Sequence, residues 1–288
     1  MIATQPKALL IDLEGTVRFG GPAIPGAAQA LNRLRAAGYT LRFVTNIDSM
    51  TPESICRGLT EIGAQGTPAE IFTPLVALRR FVAEHRGCTW YFLLSAELLP
   101  EFEGLMRSTN PTVPAGGDTA AHAAAGSAVG AAVGESSTSR PPDYVVIGDF
   151  RDRMTYGLLN QAYRHLVAGS RLVALQRQQY FMGPDGRYLD NGAFVQMLEW
   201  ASGVEALVLG KPSGEFYRLA LAELGLGPSA VLVVGDDVAM DVAGARAVGA
   251  PSALVRTGKF SHEALEASPV RPDLVLESLA YLPEVLGL

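Results

Sequence analysis

The sequence holds two cysteines, Cys56 and Cys88, in 288 residues. Two thiols cannot build a disulfide framework, and no Cys/His spacing resembles a zinc site. Long apolar runs are missing as well: a membrane helix needs roughly 20 strongly apolar residues, and no window supplies them. The longest candidate, Ala120 to Val133, is mostly Ala and Gly with a His and a Ser inside it. The opening MIATQPKALLID carries one lysine and a four-residue apolar run, too short for a signal peptide. Basic charge is scarce. Twenty-three Lys and Arg against 29 Asp and Glu leave a net charge of −6, without the basic excess of a general nucleic-acid binder. The expectation is a soluble cytoplasmic protein, in a reducing compartment, with neither nucleic acid nor membrane as partner. No internal repeat is present.

What the chain does have is apolar mass. Apolar residues make up 48% of it, too many for a disordered protein. The length suits one large or two modest domains at ~150 residues each. Short apolar runs alternate with helical patterns, the signature of βαβ units and a parallel sheet. One set of expected strands is Ala8 to Ile11, Leu41 to Val44, Ala206 to Leu209, Val231 to Val234 and Ala253 to Val255. Amphipathic stretches lie between them, such as Ala27 to Ala37 before Gly38 and Glu215 to Leu224 before Gly225, where glycine is a normal helix stop. A second set sits mid-chain. Trp90 to Leu94, Tyr144 to Ile147 and Leu172 to Leu175 read as strands, with helices near Thr155 to Val167 and Ala193 to Ala201. Spacing alone allows these to extend one sheet or to form an inserted domain. Residues 115–142 stand apart: 18 of these 28 are Ala, Gly or Ser, so the expectation there is a flexible surface insertion with little to bury.

Four strands of the first set run directly into small polar residues. They give Asp12-Leu13-Glu14-Gly15-Thr16, Thr45-Asn46, Gly210-Lys211-Pro212, and Gly235-Asp236-Asp237 with Asp241 following. In open α/β sheets the ligand crevice lies outside the carboxyl ends of the strands, so clusters far apart in sequence can meet there. Their chemistry fits phosphoryl transfer. A carboxylate can attack phosphorus, magnesium takes oxygen ligands, and a lysine with hydroxyl or amide donors neutralises the transferred charge. Each cluster alone is weak, since an Asp at a strand end is more often a turn former or a helix cap. The conjunction is the signal.

Those four clusters resemble motifs one to four of the haloacid dehalogenase-like hydrolase superfamily, over nearly the whole chain outside 115–142. The segment between the second and third motifs is similar to the large α/β cap of the NagD-type subfamily. The resemblance implies a doubly wound parallel-sheet (Rossmann-like) α/β core, residues 1–73 and 203–288, with a cap domain inserted at 74–202. It implies a magnesium-dependent phosphatase acting on a small phosphomonoester, pyrophosphate or phosphoamidate through an aspartyl-phosphate, with a homodimer among the assemblies it allows. Asp12 would be nucleophile and Mg²⁺ ligand, while Thr45 and Asn46 would bind the phosphoryl group and Lys211 its charge. Asp236 would bind Mg²⁺, with the Glu14 backbone carbonyl and with Asp237 or Asp241, directly or through water.

One position departs from the pattern. The superfamily's phosphatases usually place a second aspartate, as acid and base, where this chain has Glu14. Glutamate keeps a similar reference pKa, about 4.3 against 3.9, yet a shift of ~1 Å can cost about 10²-fold in rate. The alternative reading is therefore a catalytically weak or inactive phosphate-binding or interaction protein. A dehalogenase would not need the Asp236, Asp237 and Asp241 cluster, and nothing in the residues reports the intermediate lifetime that a phosphomutase requires. His85, His122, His165 and His262 fall in no motif and read as surface or packing residues. Arg256-Thr257-Gly258-Lys259 follows a core strand, where solvated charges on a glycine turn explain it as well as a site does. Tyr180, Tyr188 and Asn191 stand where a cap would face substrate, although Asp185-Gly186 among them is a plain hairpin turn.

Overall fold

The computed structural model describes residues 5–19, 21–105, 140–183 and 185–288. The insertion expected at 115–142 lies outside the described residues except for its last three. In chain order the first part gives β1 (Ala8–Ile11), α1 (Ala27–Ala36), β2 (Thr40–Val44), α2 (Pro52–Glu61), β3 (Ile71–Phe72) and α3 (Pro74–Glu84). The middle gives β4 (Trp90–Leu93), β5 (Tyr144–Ile147), α4 (Tyr156–Val167), β6 (Arg171–Ala174), β7 (Tyr180–Gly183), β8 (Gly186–Leu189), α5 (Asn191–Ser202) and β9 (Ala206–Val208). The last part gives α6 (Gly214–Leu224), β10 (Val231–Gly235), α7 (Ala243–Val248), β11 (Ser252–Val255), α8 (His262–Ala267), β12 (Leu274–Leu276) and α9 (Leu282–Val285).

Six strands form a parallel sheet in the order β12-β11-β10-β1-β2-β3. Its centre is apolar on both faces, which is why β1 reads as an unbroken run. Ala8 and Leu10 feed one core cluster, and Leu9 and Ile11 feed the other. A strand covered by helices on both sides has no polar alternation to show. Four more strands form a second parallel sheet, β4-β5-β6-β9, again with a core on each face. There Tyr91 and Leu93 point to one cluster, and Trp90 and Phe92 to the other. Strands β7 and β8 pair only with each other, antiparallel, as the Asp185-Gly186 turn implied. The architecture is the expected α/β one: a doubly wound parallel core with a second α/β unit inserted. No helix among the described residues is long and apolar enough to cross a membrane.

Helix ends follow local chemistry. Thr73 and Thr155 cap α3 and α4, accepting hydrogen bonds from the N–H groups of Val76 and Leu158. Gly225 ends α6 in the left-handed conformation, at φ 63°.

One expectation is corrected. The strand at 206–209, grouped by spacing with the first sheet, pairs instead with β6 in the second. Its Leu207 is half exposed, whereas the buried strands of the core sheet show no such residue at their centre. A three-residue apolar run does not encode its pairing partner. That choice is made by register, here continued by the hydrogen bond from Leu209 N–H to the Ala174 carbonyl at 2.9 Å.

Candidate active site

Strand order builds the site. In β1, Ile11 lies beside Phe43 of β2 and Val234 of β10, so the chain leaves three adjacent strands at one edge. Asp12, Thr45 and Asp236 follow at that edge. Lys211 arrives from the turn after β9 and is held by Asn46. The Asn46 Oδ1 accepts from the Lys211 backbone N–H at 2.8 Å, and its Nδ2 donates to the Lys211 carbonyl at 3.1 Å. Asn46 thus spends its side chain on placing the lysine.

Among the described residues, Asp12, Asp236 and Asp241 bring carboxylate oxygens within 4.8 Å of one another, all three buried. The Lys211 ammonium lies between two of them, 2.5 Å from Asp12 Oδ1 and 2.7 Å from Asp241 Oδ1. Glycines make the crowding possible. A Cβ on Gly235 would run into the Asp241 carboxyl group, and one on Gly15 or Gly258 would run into that of Asp236. Asp241 sits in a single π-turn, Val238–Val242, a local widening of the helix that recurs at functional sites. Asp237 caps that turn, accepting from the N–H groups of Ala239 and Met240. Of the two aspartates expected beside Asp236, Asp241 is the one brought into the cluster.

Electrostatics here are dominated by burial. Burial works to lower the Lys211 pKa, but Asp12 and Asp241 outweigh it and hold the ammonium well above its usual range. Burial, then the charges of Asp12 and Asp241, pushes Asp236 well above the carboxylate range. Asp241 is raised by burial to about 7, with Lys211 pulling the other way. One ammonium cannot neutralise three carboxyl groups so close together, and the raised Asp236 and Asp241 are the result. All donors are hard oxygens, so the set fits Mg²⁺ or a similar divalent cation.

The cluster forms the floor of a cavity of about 310 Å³, which also reaches Glu14, Thr45 and Asn46. The Glu14 side chain is 41% exposed, and its Oε1 lies 2.5 Å from Arg18 Nε. The opposite wall comes from the second unit: Asp149, Arg151, Gln176, Gln178, Phe181, Met182 and Asp190. Buried Asp48 accepts from the Asp149 backbone N–H at 3.1 Å. Burial, then the charges of Asp190 and Asp149, pushes the Asp48 carboxyl well up. Against the same upward pull of burial, Arg151 keeps Asp149 below its usual value, its Nε donating at 2.8 Å.

Sequence reasoning missed this wall. Its signal was available for Asp149 and Arg151, which follow the apolar run of β5 just as Asp12 follows β1. Gln176 and Gln178 lie past β6 in the same way. Lys259, from the glycine turn after β11, lines the cavity. Tyr180, Tyr188 and Asn191 do not line it. Asn191 is buried, its Nδ2 donating to the Ile147 and Gln176 carbonyls. Tyr188 hydrogen-bonds to Asp185 in the hairpin itself. His85, His165 and His262 stand away from the cavity, and His122 lies outside the described residues.

Comparison with known proteins supports the fold. A family model described as haloacid dehalogenase-like hydrolase matches residues 9–105, and one described as HAD-hydrolase-like matches 208–282. The chain is 33% identical over 275 residues to haloacid dehalogenase-like hydrolase domain-containing protein 2 of Mus musculus, covering 96% of this chain and 93% of the relative. It is 31% identical over 291 residues to phospholysine phosphohistidine inorganic pyrophosphate phosphatase of Xenopus laevis, covering 99% and 96%. Among solved structures, p-nitrophenyl phosphatase from Archaeoglobus fulgidus superimposes with a TM-score of 0.81 at 25% identity, over 98% of this chain and 100% of that one. NagD from E. coli K-12 shares the fold with a TM-score of 0.77 at 22% identity, over 96% and 98%.

Proposed function

The chain belongs to the haloacid dehalogenase-like hydrolases, and on that premise we propose that it hydrolyses a small phosphorylated substrate with Asp12 as nucleophile. The observation that carries this reading is the placement of Asp12: buried on the cavity floor, paired with Lys211, and beside two further carboxylates. One Asp12 oxygen attacks phosphorus as the leaving group's bond breaks, giving an aspartyl-phosphate. Water then attacks that phosphorus and returns the carboxylate with release of inorganic phosphate. Lys211 holds the nucleophile in place and offsets charge on the phosphoryl oxygens, to which Thr45 and the Asn46 segment add donors. Asp12, Asp236 and Asp241 would hold Mg²⁺ with the Glu14 backbone carbonyl. When bound, the ion would neutralise phosphoryl charge. Glu14 would give a proton to the leaving group and take one from water.

We read the four-stranded unit and its hairpin as a cap that roofs the site and favours small substrates by excluding polymers. The relatives' names suggest the panel: p-nitrophenyl phosphate, pyrophosphate and phosphoamidates, each assayed with and without Mg²⁺. Phosphate release that requires Mg²⁺ and is lost in Asp12→Asn is the expected result. A pure, folded protein that turns over none of them would sink the reading.

One observation favours a second reading. The Glu14 carboxylate is engaged by Arg18, and a carboxylate so held is poorly free to deliver a proton. The protein would then bind phosphate without turnover. Phosphate binding by calorimetry with no hydrolysis on the same panel would select it.

A further inference from the structure

Lys259 follows β11 in a turn that is fixed to the site at two points. The Thr257 hydroxyl donates to the Gly15 carbonyl, and the Lys259 backbone N–H donates to Asp236 Oδ2 at 2.6 Å. Gly258, at φ +60°, allows that approach, since a Cβ there would overlap the Asp236 carboxylate and the Gly15 backbone. From this anchored backbone the side chain reaches across to the second unit. Its Nζ donates to Gln178 Oε1 at 3.2 Å and to the Tyr180 carbonyl at 3.1 Å, and lies 4.9 Å from the centre of the Tyr180 ring.

Both acceptors belong to the segment that enters the β7–β8 hairpin. A two-stranded hairpin is marginal by itself in water, and β7 is only half buried while β8 is largely exposed. Yet this hairpin carries Phe181 and Met182 into the cavity wall. Its position therefore decides what surface a leaving group meets.

We propose that Lys259 is a positioning residue that ties the hairpin, residues 180–189, to the core and so sets the apolar wall facing the leaving group. It acts through the hairpin and not on the phosphoryl group. Its backbone amide remains available to Asp236 whatever side chain it bears, so a side-chain variant isolates the tie.

The test is amide hydrogen exchange on the full chain without added metal, for wild type, Lys259→Met, Gln178→Leu and the double variant. Lys259→Met should speed exchange in the hairpin about tenfold, as for loss of a charge-assisted hydrogen bond, and leave β1 and β10 unchanged. Gln178→Leu should speed the same amides, and the double variant should exceed the larger single effect by little. Wild-type protection retained in Lys259→Met, an equal rise in β10, additive effects, or an unprotected wild-type hairpin would each overturn the proposal.

A kinetic arm rests on the phosphatase reading. Lys259→Met should raise KM about five- to tenfold for p-nitrophenyl phosphate, whose ring would reach Phe181, and less than about twofold for pyrophosphate. Equal KM changes for both would remove the wall from the inference. A wild-type protein without turnover would count against the phosphatase reading alone, because the exchange measurement does not depend on it.

Discussion

At the scale of single residues, burial and charge decide behaviour more than residue type does. Asp48 and Asp149 are both aspartates lining one cavity, yet one carboxyl is pushed up and the other held down, because Arg151 is bonded to the second. The raised Asp48 has a testable sign. Its folded pKa exceeds the unfolded value of about 3.9, so the native state keeps a proton that the unfolded chain has lost. Its stability contribution is therefore full below pH ~4 and is lost as pH rises toward the folded pKa. Asp48→Asn, nearly isosteric and uncharged, should gain stability relative to wild type as pH rises above about 4, read from urea unfolding. A difference that does not change with pH would mean that Asp48 is ionised in the fold. Glu14 offers a second test. If it transfers a proton from a poor position, Glu14→Asp should raise kcat most for alkyl phosphates, whose leaving groups need the proton. Equal slopes of log kcat against leaving-group pKa in both proteins would take Glu14 out of proton transfer.

At the scale of elements, close approach outranks propensity. Gly244 lies in α7, where alanine would ordinarily be favoured by about 1 kcal/mol. Here an added Cβ would overlap the ring of Tyr217, a fully buried residue of α6. Overpacking costs typically ~1–3 kcal/mol, so Gly244→Ala should lower the unfolding free energy by about 1 kcal/mol. A raised urea midpoint would show that the α6–α7 contact can open without cost. The element boundaries were largely legible, because caps and stops are local. Thr155 precedes α4, where its hydroxyl caps the helix, and Gly225 follows α6, where glycine takes a positive φ without strain. Strand β3, two residues long, and the edge strand β12 had no readable pattern, since so few positions cannot display a period.

For the whole molecule, three carboxyl groups crowded around one ammonium predict a response to divalent cations. Mg²⁺ should bind the folded chain and not the unfolded one, raising stability by about 2.7 kcal/mol at a hundred times its dissociation constant. The rise in Tm on adding Mg²⁺ should be lost in Asp236→Asn. An unaltered shift in that variant would place the ion elsewhere.

The sequence by itself determined the alternation of buried strands and amphipathic helices, and the polar clusters at strand ends, because burial pattern and turn chemistry are local properties. Asp12, Thr45, Asn46, Lys211, Asp236 and Asp241 were readable on that ground. Only the tertiary structure decided which sheet β9 joins, which of Asp237 and Asp241 turns toward Asp12, and that Asn46 spends its amide on Lys211. It also brought Asp48, Asp149, Arg151, Gln178 and Lys259 to one cavity from segments as far apart as positions 48 and 259. The physical reason is that pairing partners and side-chain meetings depend on how separate elements pack, and no local run of residues carries that information.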